Sequence, residues 1–112
     1  MASASVAGVD QSQTHPSWEV TASLWRWREG SWHFLTVPEE ASDEIADLAE
    51  GRSGGFGAVK VEVTCGSTTW ETSLFPSTEQ AAYVLPVKAA VRRAEGLAEG
   101  DAATVTLTAV HL

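Results

Sequence analysis

Trp18, Val20, Ala22 and Leu24 alternate with Glu19, Thr21 and Ser23, the period-two pattern of a strand with one buried face. At Trp25 and Trp27 the large residues switch face, which predicts a bulge or a strand end leaving the core. Glu29-Gly30 is a turn signal, and Ser31 to Val37 reads as the returning strand of a hairpin that Pro38 ends. Val59, Val61, Val63 and Cys65 alternate with Lys60, Glu62 and Thr64. Gly66-Ser67 makes a tight turn, and Thr68 to Leu74 returns with Trp70, Thr72 and Leu74 on one side. Phe75 to Gln80 reads as a loop before a short strand at Tyr83 to Leu85, and the last strand, Ala102 to Val110, turns Ala103, Val105, Leu107 and Ala109 inward.

Two stretches change period. Ser42 suits a helix N-cap, with Asp43 and Glu44 complementing the positive end of the dipole. The predicted helix runs from about Asp43 to Glu50, buries Ile45, Leu48 and Ala49, and stops at Gly51. The second begins at Pro86, because proline suits a first helical turn, and ends at Gly96. Val87, Ala90, Val91 and Ala94 share its apolar face, while Lys88, Arg92 and Glu95 share a flank.

These elements predict a mostly β fold: a curled antiparallel barrel, closed or half-closed, with two short helical caps. Residues 1–17 are small and polar without apolar periodicity and read as a flexible leader; residues 18–112 read as a single β-barrel domain. The order strand, proline, short helix, glycine occurs around Pro38 and again around Pro86.

Composition adds three constraints. Of the chain's 112 residues 44% are hydrophobic, and five are tryptophan, which requires a core, a pocket or an interface for that aromatic area. The net charge of −8 disfavours nucleic acid, whose binders gain affinity by neutralising phosphates. Cys65 is the single cysteine, which fits a reducing compartment. No signal peptide and no membrane span are legible, so a soluble cytoplasmic protein is expected.

Five motifs, Trp32-His-Phe-Leu-Thr-Val-Pro38, Gly55-Phe-Gly-Ala-Val-Lys-Val61, Trp70-Glu-Thr-Ser-Leu-Phe-Pro76, Tyr83-Val-Leu-Pro-Val-Lys-Ala-Ala-Val-Arg92 and Gly100-Asp101, occur in the order found in a bacterial family. Together they resemble domain of unknown function 1905, and the resemblance spans nearly everything from Trp18 to Thr108. It implies a double-split β-barrel capped by helices and no established reaction. Leu85-Pro86 through Gly100-Asp101 also looks like the turn of AbrB-type swapped-hairpin DNA-binding proteins, but the acidic charge and the helix in place of a tight connection depart from them.

The candidate chemistry is cationic and aromatic. Lys88 and Arg92, four residues apart on one helix flank, could clamp a carboxylate or phosphate, with arginine supplying a bidentate fork; the plainer alternative pairs Arg92 with Glu95 on the helix surface. Trp25, Trp27 and Trp32 could wall an aromatic pocket with Phe56 as a lid, or simply pack core and rim. The glycines from Gly54 to Gly57 lack the spacing of a phosphate loop or a dinucleotide fingerprint. Thr72, Ser73 and His33 carry no spacing that marks a nucleophilic site. His15, His33 and His111 have no metal-ligand spacing, so no metal and no cofactor are expected. Cys65 reads as a small buried hydrophobe, and the acidic stretch Glu39 to Glu50 as a solvated face. The leading expectation is a barrel that binds a small ligand, anionic or aromatic, through Trp25, Trp27, Trp32, Phe56, Lys88 and Arg92. The alternatives are a protein–protein interaction or homo-oligomerisation module using the same tryptophans, and an enzyme without a recognisable motif.

Overall fold

The structure, a computed structural model, describes residues 15–27, 30–49 and 57–110. In chain order it contains β1 (Ser17–Ser23), β2 (Trp25–Arg26), β3 (His33–Thr36), α1 (Glu39–Ala49), β4 (Val59–Cys65), β5 (Thr68–Ser77), β6 (Ala82–Pro86), α2 (Ala89–Glu95) and β7 (Ala102–Ala109). Most of the leader, the Gly51 stop, Gly54, Gly55, Phe56 and His111 lie outside the described residues.

The strands form one antiparallel sheet in the order β1-β7-β4-β5-β6-β3-β2. Its two edge strands, β1 and β2, are consecutive in the chain and meet at Leu24, so the backbone itself joins the two ends of the sheet. Leu24 N–H donates to the Asp101 carbonyl at 2.8 Å, and its own carbonyl accepts from Gly100 N–H at 2.7 Å. β5 plays the matching part opposite: Val59–Cys65 pairs with its first half, Thr68–Leu74, while Ala82–Val84 pairs with its end, Phe75–Ser77. Two long strands, each shared between two smaller sheets, give the double-split half-barrel.

The core follows from alternation. Val59, Val61 and Val63 on β4 and Ala103, Val105 and Leu107 on β7 are all buried, as are Trp70 and Leu74 on β5. Val63 opposes both Trp70 and Leu107 in register, so three strands place apolar side chains on one face at one level. Leu24 is buried at the crossing point, and the Trp25 side chain goes to the other face, as the switch in pattern predicts.

The helices start elsewhere than the sequence signals suggest. α1 begins at Glu39, and Ser42 N–H donates to the Pro38 carbonyl at 2.8 Å, the first bond of the helix ladder. Ser42 is therefore inside α1 and not its cap; its buried hydroxyl donates to the Val37 carbonyl at 3.0 Å and accepts from Tyr83 N–H at 3.1 Å. A tertiary contact has taken the hydroxyl that looked like a capping group. Ile45 and Ala49 are buried as expected, but Leu48 is 41% exposed. Pro86 closes β6 opposite Phe34 and does not open α2, whose N-cap is Lys88. Val87 and Val91 are buried, whereas Ala90 and Ala94 face solvent, so the buried stripe is narrower than the wheel suggests. Gly96 ends α2 in the left-handed region at φ 66°, where glycine carries no Cβ penalty.

Phe75, Pro76 and Ser77 are strand and not loop, paired with Val84, Tyr83 and Ala82. Proline is tolerated there because β4 begins at Val59 opposite Leu74, so no strand on that side needs the Pro76 N–H.

Candidate functional site

α2 lies along the first half of β5. Its C-terminal residue, Glu95, accepts from the Thr68 hydroxyl at 2.5 Å. At the other end of the helix a groove of about 490 Å³ opens between α2, β5 and the segment leading into β3. Its walls are Lys88, Ala89 and Arg92 from α2, Trp70, Glu71, Thr72 and Phe75 from β5, Ser31 to His33 before and at the start of β3, and Pro86 and Val87 from the junction.

Backbone and side-chain bonds hold these walls together. Val87 N–H donates to the His33 carbonyl at 2.9 Å, and the Val87 carbonyl accepts from Arg92 Nε at 3.2 Å. The guanidinium is thus anchored by one nitrogen at the half-buried base of α2, and among the described residues no partner occupies its two terminal nitrogens. Arg92 does not pair with Glu95; among the described residues an ion pair joins Arg26 Nε to Glu99 Oε1 at 3.6 Å, between exposed side chains. Lys88, exposed, stands one helical turn before Arg92, so two positive charges line one wall.

His33 Nδ1 lies 2.8 Å from the Ser31 carbonyl. A carbonyl only accepts, so Nδ1 carries the proton and Nε2 of the neutral ring is an acceptor. Among the described residues no hydroxyl is hydrogen-bonded to this imidazole. No group of three or more described His, Cys, Asp or Glu side chains is placed to hold a metal ion.

The aromatic residues form a second surface continuous with the groove. In register, Trp25 opposes Phe34, Phe34 opposes Pro86, and Val84 opposes both Thr36 and Phe75, so these side chains share the outer face of the β2-β3-β6-β5 sheet. Trp25 is 5.1 Å from Phe34 and 6.4 Å from Trp27 between ring centroids, and Trp32 stacks on Phe34 at 6.1 Å and 10°. Trp32 is 63% exposed and Phe75 45%. Trp27, Trp32, Phe34, Phe75 and Val84 surround a shallow apolar hollow of about 330 Å³.

Of the predicted contacts, Trp32, Lys88 and Arg92 meet at the groove. Trp27 reaches the adjoining hollow and not the groove, and Trp25 lies on the far side of Trp27, beside Arg26, Glu79 and Gln80, with its indole N–H donated to Thr36 Oγ1 at 2.8 Å. Phe56 lies outside the described residues. Trp70, Thr72, Phe75 and His33 are groove residues that the site prediction omitted. For Phe75 a signal existed: it continues the outward alternation of Glu71 and Ser73, hidden by the proline that follows.

A second cavity of about 630 Å³ lies between α1 and the β5–β6 turn, lined by Ser42, Asp43, Tyr83 and small residues. Its one buried hydroxyl, Ser42, is spent on backbone partners, and burial pushes the Tyr83 phenol up. The described helices include none long and apolar enough to cross a membrane.

The fold is thus a helix-capped, double-split antiparallel half-barrel with two cationic side chains beside one split. The chain belongs to the family described as Domain of unknown function (DUF1905), whose sequence model matches residues 21–107. No curated protein matches the chain.

Proposed function

We propose that the protein binds a small anionic ligand with a flat apolar part, held in the groove between α2 and β5. The observation that carries this reading is the meeting of Lys88, Arg92 and Trp32 around one groove of about 490 Å³. A carboxylate there is met by an ammonium and a guanidinium, the latter already oriented through Nε, so little of its freedom remains to be lost on binding. Trp32 and Phe75, both exposed, offer ring faces next to those charges. Glu71 on the same wall disfavours a second negative charge, so a monoanion suits the site better than a phosphate dianion.

Thermal shift across ring-bearing monoanions, their neutral amides and phosphate esters tests this. The reading predicts a melting temperature that rises with monoanion concentration, is unmoved by the amides, and is unmoved by any ligand in Arg92→Ala. Equal shifts from acid and amide would contradict it.

A second reading rests on the outer aromatic face. Trp27, Trp32, Phe34 and Phe75 form a continuous apolar surface of the kind that serves as an interaction patch. Sedimentation separates the two: a monomer at all micromolar concentrations that still responds to small anions favours the groove.

A further inference from the structure

One wall of the groove is an open strand edge. Gly66-Ser67 is a two-residue turn, which makes the flanking residues Cys65 and Thr68 a hydrogen-bonded pair. Alternation then gives the backbone bonds toward β4 to Thr68, Trp70, Thr72 and Leu74, while the N–H and C=O of Glu71 and Ser73 point the other way. Phe75 is the next residue of that second series, and there β6 takes over, pairing Phe75 with Val84. Between Thr68 and Leu74 no described strand pairs with this side. The side faces the groove, since Trp70, Glu71 and Thr72 line it. The opposite wall is α2 with Lys88 and Arg92.

We infer that the groove accepts the C-terminal end of an extended peptide, which adds as a strand to the β5 edge and places its terminal carboxylate at Lys88 and Arg92. This rests on the anion-binding reading above and names the anion. Backbone donors and acceptors repeating at alternate residues along an edge are satisfied by another strand, not by a compact molecule. A strand-and-helix groove supplies both requirements of such binding: main-chain pairing on one side and side-chain pockets on the other. Direction follows from charge. Glu95 bonds Thr68 at the far end of α2 and repels a carboxylate approaching there, whereas Lys88 stands beyond Pro86 at the end of the helix that lines the groove. The peptide therefore runs parallel to β5, with its last apolar side chains against Trp32 and Phe75.

The test uses a library of short peptides with free C termini, the same library amidated, and 3-phenylpropionate as a small monoanion, each titrated into the full chain. Selected free-acid peptides should bind about tenfold or more tighter than their amides, because a hydrogen-bonded charge is lost on amidation. N-methylation of alternate peptide amides should weaken binding by a similar factor, and methylation of the intervening ones should not. Ser73→Pro, which removes a donor pointing away from β4, should lower peptide affinity while leaving 3-phenylpropionate binding unchanged. If that variant fails to fold, the N-methyl series carries the same question on unaltered protein. Peptides binding no better than their amides, or N-methylation without effect at any position, would overturn the inference. With 3-phenylpropionate still bound, the anion-binding reading survives that result; with neither bound, both fall.

Discussion

Thr68 Oγ1 lies 2.5 Å from Glu95 Oε2, and this bond ties the end of α2 to the β4–β5 turn. The same carboxylate stands over Gly66: a Cβ added there would clash with Glu95 Oε1. One side chain thus ties α2 to the turn and crowds the position that the positive φ of Gly66 already reserves for glycine.

Gly66→Ala should destabilise the fold by more than its backbone strain. At φ 61° an L-residue costs about 1–2 kcal/mol, and the methyl group must also displace Glu95 from Thr68. Gly96→Ala is the control, with φ 66° and nothing within 4 Å of the added carbon. In urea unfolding, Gly66→Ala should lose about 1 kcal/mol more than Gly96→Ala, the net value of a typical hydrogen bond. A Glu95→Ala background should remove the difference.

Ser42→Ala should cost about 1–3 kcal/mol, because a buried hydroxyl bonded to Val37 and Tyr83 is removed and both backbone groups lose a partner. Were Ser42 an N-cap, an aspartate there would restore the loss; inside α1 it should not, because a carboxylate cannot donate to the Val37 carbonyl. Chemical denaturation of both variants checks this.

Ile45→Ala and Leu48→Ala should separate sharply. Ile45 is completely buried and should lose about 2–5 kcal/mol. Leu48 is 41% exposed and should change stability by no more than about 0.5 kcal/mol.

Stability should fall on the alkaline side. Burial first, and then the Glu95 charge, pushes the Cys65 thiol above its ordinary value of 9.0, and burial pushes the Tyr83 phenol above 10.0. Groups raised on folding contribute stability that is complete below the unfolded values and is lost as pH climbs past them. Unfolding free energy should therefore decline above pH 9.0, first through Cys65. Cys65→Ala should flatten the first part of that decline, whatever it does to the level at neutral pH.

The strands were legible because alternation is written directly in residues such as Val59, Val61, Val63, Ala103, Val105 and Leu107, and burial on one face demands that spacing. Helix starts were not: Ser42 and Pro86 carry strong local signals, but Tyr83 claims the first and Phe34 pairs with the second. Those partners are distant in sequence, so no local window holds them. The cationic wall of the groove was visible because Lys88, the N-cap of α2, and Arg92 sit one turn apart. The aromatic half was only partly so. Trp25 and Trp27 cluster with Trp32 along the chain, yet the switch of face at Leu24 and the β2–β3 pairing carry Trp25 to the far side of Phe34. Trp70, Thr72 and Phe75 reach the groove through the split between β5 and β6, a feature of topology and not of spacing.

The binding account is tested most directly by nuclear magnetic resonance of the nitrogen-15-labelled protein titrated with 3-phenylpropionate. Trp32 lines the groove and Arg92 lies within it, whereas the Trp18 indole donates to Glu44 at 2.8 Å on α1. The account predicts saturable movement of the Trp32 indole and Arg92 Nε–H signals, with the Trp18 indole still. Signals of Trp32 and Arg92 that stay in place, or that move no further than that of Trp18, would contradict it.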